Sequence, residues 1–204
     1  NGVILARPGM LERLLDLGVE GFDISFHSHR PGPYDRITGS RGNHPKVVEG
    51  LRKMLGSGRC RVTACVLINA WNYRELPQLA GFLGKLSRER RKEAGSRCEV
   101  SFALMNGAGM NTAPHMTVDL KKVAPYLRQA LARCRRAGIT AQRFTGETAL
   151  PPCLVPDSAA YAGEIEFSQE RVRYAADFSG ETGNVGRAKS LACRKCAYDS
   201  RCLG

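Results

Sequence analysis

The chain has 204 residues, of which 43% are hydrophobic and 25% charged, a globular composition that excludes a disordered or fibrous protein. Its longest uninterrupted apolar run, Ala64 to Ile68, is too short to span a bilayer, and no early stretch reads as a secretion signal, so no membrane partner is expected. Thirty-one basic against 19 acidic residues give a net charge of +12, a field that attracts polyanions and also favours solubility.

The chain opens Asn1-Gly2-Val3 without an initiator methionine, as expected of a processed protein or a piece of a longer one. Residues 8–17 carry Met10, Leu11, Leu14, Leu15 and Leu17 at helical spacing, with Gly18 as the stop. Gly21 to Ser28 alternates as a strand: Phe22, Ile24 and Phe26 face one way, Asp23, Ser25 and His27 the other. A loop rich in Pro, Gly and Arg is expected from His29 to His44. A helix from about Pro45 presents Val47, Val48, Leu51, Met54 and Leu55, and Cys60 to Asn69 reads as the second strand. Asn72 with Glu75 three residues on has the pattern of a capping box, followed by a helix with Leu76, Leu79, Phe82, Leu83 and Leu86. A third strand is expected at about Cys98 to Met105. A long helix after Thr117 ends at Gly138, and a fourth strand starts at Ile139.

Strand starts near 22, 60, 98 and 139 repeat at the period of a βα unit, which predicts an α/β fold with a parallel sheet. A doubly wound sheet and part of a barrel both fit that rhythm, and both place ligands at the C-terminal ends of the strands. The rhythm stops after Gly146. Residues 147–204, richer in Gly, Ser, Asp and Cys, read as a small irregular appended lobe, so the expected domains are 1–146 and 147–204. Gly39-Ser40-Arg41-Gly42 and Asn106-Gly107-Ala108-Gly109 match neither phosphate-binding loop, and no Gly-x-Ser-x-Gly or His-Glu-x-x-His signature is present.

Two stretches hold much of the basic excess. Ser87 to Arg97 has five basic and two acidic residues; Leu120 to Gly146 has seven basic residues and no acid. In the second, Val123, Leu127, Ala130, Leu131 and Cys134 form the buried stripe and the cations fall mostly opposite, which reads first as a solvated helix face. No aromatic residues interleave with them as a single-strand stacking platform needs.

The eight cysteines divide into two groups. Cys60, Cys65, Cys98 and Cys134 sit in apolar segments and read as small buried hydrophobes. Cys193, Cys196 and Cys202 lie in a polar tail. The C-x2-C step lets two thiolates reach one metal, five further residues bring a third, and neighbouring Lys189, Arg194, Lys195 and Arg201 favour thiolates. Cys153, held in a loop with Pro151, Pro152 and Pro156, is the expected fourth ligand. Four thiolates suit structural zinc or an iron–sulfur cluster equally.

Several segments together resemble radical S-adenosylmethionine (radical SAM) enzymes. Asn1-Gly2 before a helix resembles the turn after that family's third strand, and Asp23-Ile24-Ser25-Phe26-His27-Ser28 its fourth strand. Pro33-Tyr34-Asp35-Arg36-Ile37-Thr38-Gly39 resembles the loop beyond. Val66-Leu67-Ile68-Asn69 with Asn72-Tyr73-Arg74-Glu75-Leu76 is similar to the fifth strand and its helix, and Phe102-Ala103-Leu104-Met105-Asn106 to the sixth. Lys189 through Cys193, Cys196 and Cys202 to Gly204 resembles an auxiliary-cluster segment.

The resemblance implies a partial (β/α)6 TIM-type barrel lacking its first strands, followed by a lobe of the SPASM or twitch kind. It implies an auxiliary [4Fe–4S] cluster at Cys153, Cys193, Cys196 and Cys202, with contacts to S-adenosyl-L-methionine from Asn1, Ser25, His27 and Asn69. It further implies a peptide or small-molecule substrate, a flavodoxin- or ferredoxin-like reductant and a reducing cytoplasm. The C-x3-C-x2-C loop that binds the family's radical-generating cluster is absent from these 204 residues, so the piece alone is expected to be inactive. A zinc-bearing α/β binding module and an RNA-binding or RNA-modifying domain are the competing expectations.

Overall fold

The structure, a computed structural model, describes residues 1–90, 97–105, 116–142 and 191–196. A 3-10 turn, Val3–Ala6, leads to α1 (Met10–Asp16) and β1 (Gly21–Ser25). Two helices follow, α2 (Pro31–Thr38) and α3 (His44–Ser57), then β2 (Arg61–Ile68). The 3-10 turn Tyr73–Glu75 runs into α4 (Leu76–Arg90), followed by β3 (Cys98–Leu104), α5 (Leu120–Ala137) and β4 (Thr140–Ala141). Leu191–Lys195 forms a further 3-10 turn.

The helix boundaries follow local chemistry. The carboxylate of Asp119 accepts from the Lys121 N–H at 2.8 Å and caps α5. Gly138, at φ 66°, stops that helix in the left-handed conformation that an L side chain resists. Val123, Leu127, Ala130, Leu131 and Cys134 are buried, the stripe their spacing predicts.

Three expectations are corrected. The stretch from His29 to His44, expected to be loop, contains α2: Pro31 and Pro33 supply ready-made helical φ angles in its first turn, and Gly39 closes it. β1 ends at Ser25 rather than Ser28, although the Phe26 N–H still reaches the Cys65 carbonyl at 2.8 Å. Asn72 makes no side-chain cap bond, so the capping box does not form; its amide turns back toward the strands.

The four strands form one parallel sheet in the order β1-β2-β3-β4, with Ile24 level with Ala64 and Ala64 level with Val100. Each connection between neighbours is a crossover, and right-handed crossovers that advance in one direction put every helix on the same face. Ile24, Phe26, Val62, Ala64, Val66, Ile68, Val100 and Phe102 point to that face and join the buried side of α3, α4 and α5 in one cluster. The order does not reverse among the described strands, so they contain no doubly wound switch point. Among the described residues no helix is long and apolar enough to cross a membrane. Of the expected lobe 147–204, only residues 191–196 are described.

Candidate functional site

The second face of the sheet is polar. Strand alternation puts Asp23, Ser25 and His27 there from β1 and its extension, Thr63, Cys65 and Leu67 from β2, and Glu99, Ser101 and Ala103 from β3. Over β2 and β3 the lower part of this face is covered, while Asp23 on the β1 edge is exposed. Thr63, Glu99 and Ser101 are buried, and the Gln142 amide donates to the Thr63 hydroxyl at 3.4 Å and to the Glu99 carboxylate. Arg61 adds a cation 3.8 Å from the same carboxylate. Toward the C-terminal ends, Ser25, Cys65 and His27 are only half-buried, which leaves the upper half reachable.

Where β1 leaves the ladder, the His27 ring replaces a backbone carbonyl as acceptor, and its Nδ1 accepts from the Leu67 N–H at 3.1 Å. That bond assigns the proton of the neutral ring to Nε2. Burial lowers the His27 pKa, so the ring is neutral at pH 7. Among the described residues nothing accepts from Nε2, and Nε2 is not one of the buried unpartnered atoms. His27 is therefore a fixed single donor at the rim.

Asn72 holds the rim together. Its Nδ2 donates to the His27 carbonyl at 2.9 Å and to the Leu67 carbonyl at 2.8 Å, and its Oδ1 accepts from the Asn69 N–H at 2.9 Å. Asn69 is also fully buried; its Nδ2 donates to the Leu67 carbonyl at 3.1 Å and its Oδ1 accepts from the Trp71 N–H at 2.9 Å. Asn69 thus shapes the turn that ends β2. Asn1 lies at the start of the chain, where its Oδ1 accepts from the Val3 N–H at 3.3 Å, and Ser25 offers its carbonyl to the Tyr34 hydroxyl at 3.5 Å.

Around the rim, the Arg36 guanidinium lies 4.2 Å from the centroid of Trp71. Glu75 pairs with Arg30 and stands 4.0 Å from His29 Nδ1. Sequence reasoning does not single out Asn72, Trp71 or Glu75 as site residues. The signal it holds is the Asn69-x-x-Asn72 pair at a strand end, which spacing alone reads as a cap.

Cys60, Cys98 and Cys134 are buried as expected, but Cys65 lies half-buried on the polar face. Burial, with Asp23 nearby, raises its pKa, so Cys65 is a thiol and not a nucleophile at pH 7. In the tail, the Cys196 N–H donates to the Cys193 carbonyl at 2.9 Å, a tight turn that puts both half-buried sulfurs on one short segment. That turn suits two thiolate ligands of one metal centre. Cys153 and Cys202 lie outside the described residues, and among the described residues no group of three His, Cys, Asp or Glu is placed to hold a metal ion. A separate groove of about 370 Å³ between α1 and α3 is lined by Leu11, Leu15, Glu49, Arg52, Lys53 and Ser57, with the Lys53 ammonium donating to the Ala6 carbonyl and the Ser57 hydroxyl to the Met54 carbonyl, both at 2.8 Å.

No family model and no curated protein matches this chain.

Proposed function

We propose that residues 1–146 are the C-terminal arc of a radical SAM barrel and that residues 147–204 carry an auxiliary [4Fe–4S] cluster on Cys153, Cys193, Cys196 and Cys202. One observation supports this most directly: a parallel sheet in sequential order whose helices share one face, leaving a polar face with Ser25 and His27 at the strand ends. A barrel arc has that polarity, because its inner face receives the ligand at the C-terminal rim. When bound, such a cluster supplies one-electron chemistry, and four cysteine ligands leave no open iron for substrate. The chain's own residues would bind and orient: Ser25 and His27 toward S-adenosyl-L-methionine or substrate, with Asn72 and Asn69 fixing the rim beneath them. The substrate class is a peptide or small molecule, the reductant a flavodoxin or ferredoxin, and the setting the cytoplasm.

The test is metal and acid-labile sulfide in anaerobically reconstituted protein. About four iron and four sulfide per chain, with a brown absorption that Cys196→Ala removes, supports the assignment. About one zinc without sulfide replaces the cluster by a structural zinc site.

A further inference from the structure

We infer that the outward face of α5 is a nucleic-acid-binding surface that grips a duplex through its phosphates without reading its sequence. It is independent of the radical SAM assignment. Lys121, Lys122, Arg128, Arg133, Arg135 and Arg136 are all exposed on this helix, and no Asp or Glu occurs between Leu120 and Gln142. Asp119, just before the helix, directs its carboxylate at the Lys121 N–H. Among the described residues the ion pairs engage His29, Arg30, Arg59, Arg61 and Lys85, and none takes in Lys121, Lys122 or Arg136.

Helix geometry turns this composition into a shape. At 100° and 1.5 Å per residue, Lys121, Lys122 and Arg136 fall within an arc of about 100° and span about 22 Å along the axis. Arg133 lies beside that arc, its guanidinium reaching the Pro77 carbonyl of α4 at 3.1 Å. The stripe continues onto α4: a Cβ on Gly84 would stand 2.8 Å from the Ala137 Cβ, so exposed Arg88, one turn on, extends it. Double-stranded DNA carries a charge every ~1.7 Å of its axis, both strands counted, so about a dozen phosphates lie along about 22 Å, roughly half of them on the side turned to the stripe.

The surroundings choose between partners. A protein-binding patch needs apolar or aromatic anchors at its centre, and a single-strand platform needs stacked rings. Between the cations of α5 the exposed positions are Pro125 and Gln129, a lone small ring without a π face and an amide, which make neither an apolar centre nor a stacking platform. What remains is contact with a charged backbone, the mode that positions a protein on a duplex and carries no sequence information.

The experiment measures affinity of the full chain for a DNA duplex of about 20 base pairs by fluorescence anisotropy at several salt concentrations from about 50 to 200 mM. Six phosphate contacts give a slope of log K against log salt of about −5. The triple variant K121Q/K122Q/R136Q is expected to flatten it by about 3. R7Q/R13Q/K46Q makes the same charge change at exposed positions elsewhere and is expected to leave the slope unchanged. Equal flattening by both triples assigns the binding to net charge and overturns the inference. No duplex binding at the lowest salt overturns it as well, and so does displacement of the duplex by poly-glutamate at equal charge concentration, which makes the partner an acidic protein.

Discussion

Asn72→Ala tests whether the rim is held as the hydrogen bonds describe. Asn72 is 1% exposed and its amide serves three backbone groups on two strand ends. Removing it orphans the Asn69 N–H and the His27 carbonyl. The Leu67 carbonyl keeps its bond from Asn69 Nδ2. A buried polar group left unpaired costs about 1–3 kcal/mol, so two orphans with the lost contacts put the cost at about 3–5 kcal/mol. For a chain of this length that is a fall in Tm of about 6–20 °C, because each kcal/mol shifts Tm by about 2–4 °C. Thermal and urea denaturation followed by circular dichroism measure it. Asn72→Asp keeps the acceptor for the Asn69 N–H but sets a carboxylate against two carbonyls, so it is expected to be no better than alanine. A loss below about 1 kcal/mol in Asn72→Ala would show that water replaces the amide, and that Asn72 does not tie β1 to β2.

The remaining predictions concern pH and packing. Burial lowers the pKa of His27, His29 and His44, so the unfolded chain takes up protons first as pH falls through 6.5. Their contribution is therefore intact above pH 6.5 and lost below it: the urea midpoint is expected to drop between about pH 7.5 and 5.5, and a flat midpoint refutes the burial argument. His44 is 5% exposed, stacked at 5.9 Å on Phe26 and edge-on to Tyr34 at 5.4 Å, so His44→Phe is expected to reduce that drop. Gly84→Ala in α4 gains about 1 kcal/mol of helix propensity but meets the Ala137 Cβ at 2.8 Å, where overpacking costs about 1–3 kcal/mol. A net loss of about 1 kcal/mol is expected, recovered in contact terms by Ala137→Gly, and a stabilised Gly84→Ala would show that α4 and α5 shift apart freely.

Much of the scaffold is legible in the sequence because apolar periodicity is a local signal. The β2 positions Val62, Ala64, Val66 and Ile68 and the α5 stripe emerge at the spacing that burial requires. The order of the strands is not legible, since a doubly wound sheet and a barrel arc share the same βα rhythm and differ only in which neighbours pair. α2 escapes a reading of the sequence because Pro31, Gly32 and Pro33 look like loop residues, whereas proline in a first helical turn has no hydrogen bond to lose. At the candidate site, Ser25 and His27 are recognisable by their shared strand face. Asn72 is not: its partners, His27 and Leu67, stand 45 and 5 residues away, and no local pattern encodes a bond between strand ends.

That long-range bond bears on chemistry. His27 lies beyond the last residue of β1, where a free strand end would let the ring rotate, yet both its main chain and its ring are held to β2 and the turn after it. The Leu67 N–H occupies Nδ1, so the lone pair a general base would use is taken, and Nε2–H is left as a donor. Cys65, level with Ser25 in the register, is a thiol for a separate reason, the burial that raises its pKa. Neither the ring nor the sulfur is therefore set to take a proton or attack a substrate at neutral pH. The described part of this face offers the Nε2–H donor of His27, the Ser25 hydroxyl and, at its exposed edge, the Asp23 carboxylate. Within the radical SAM proposal the bond-breaking group is one brought to this face, and neither His27 nor Cys65 competes with it for that role.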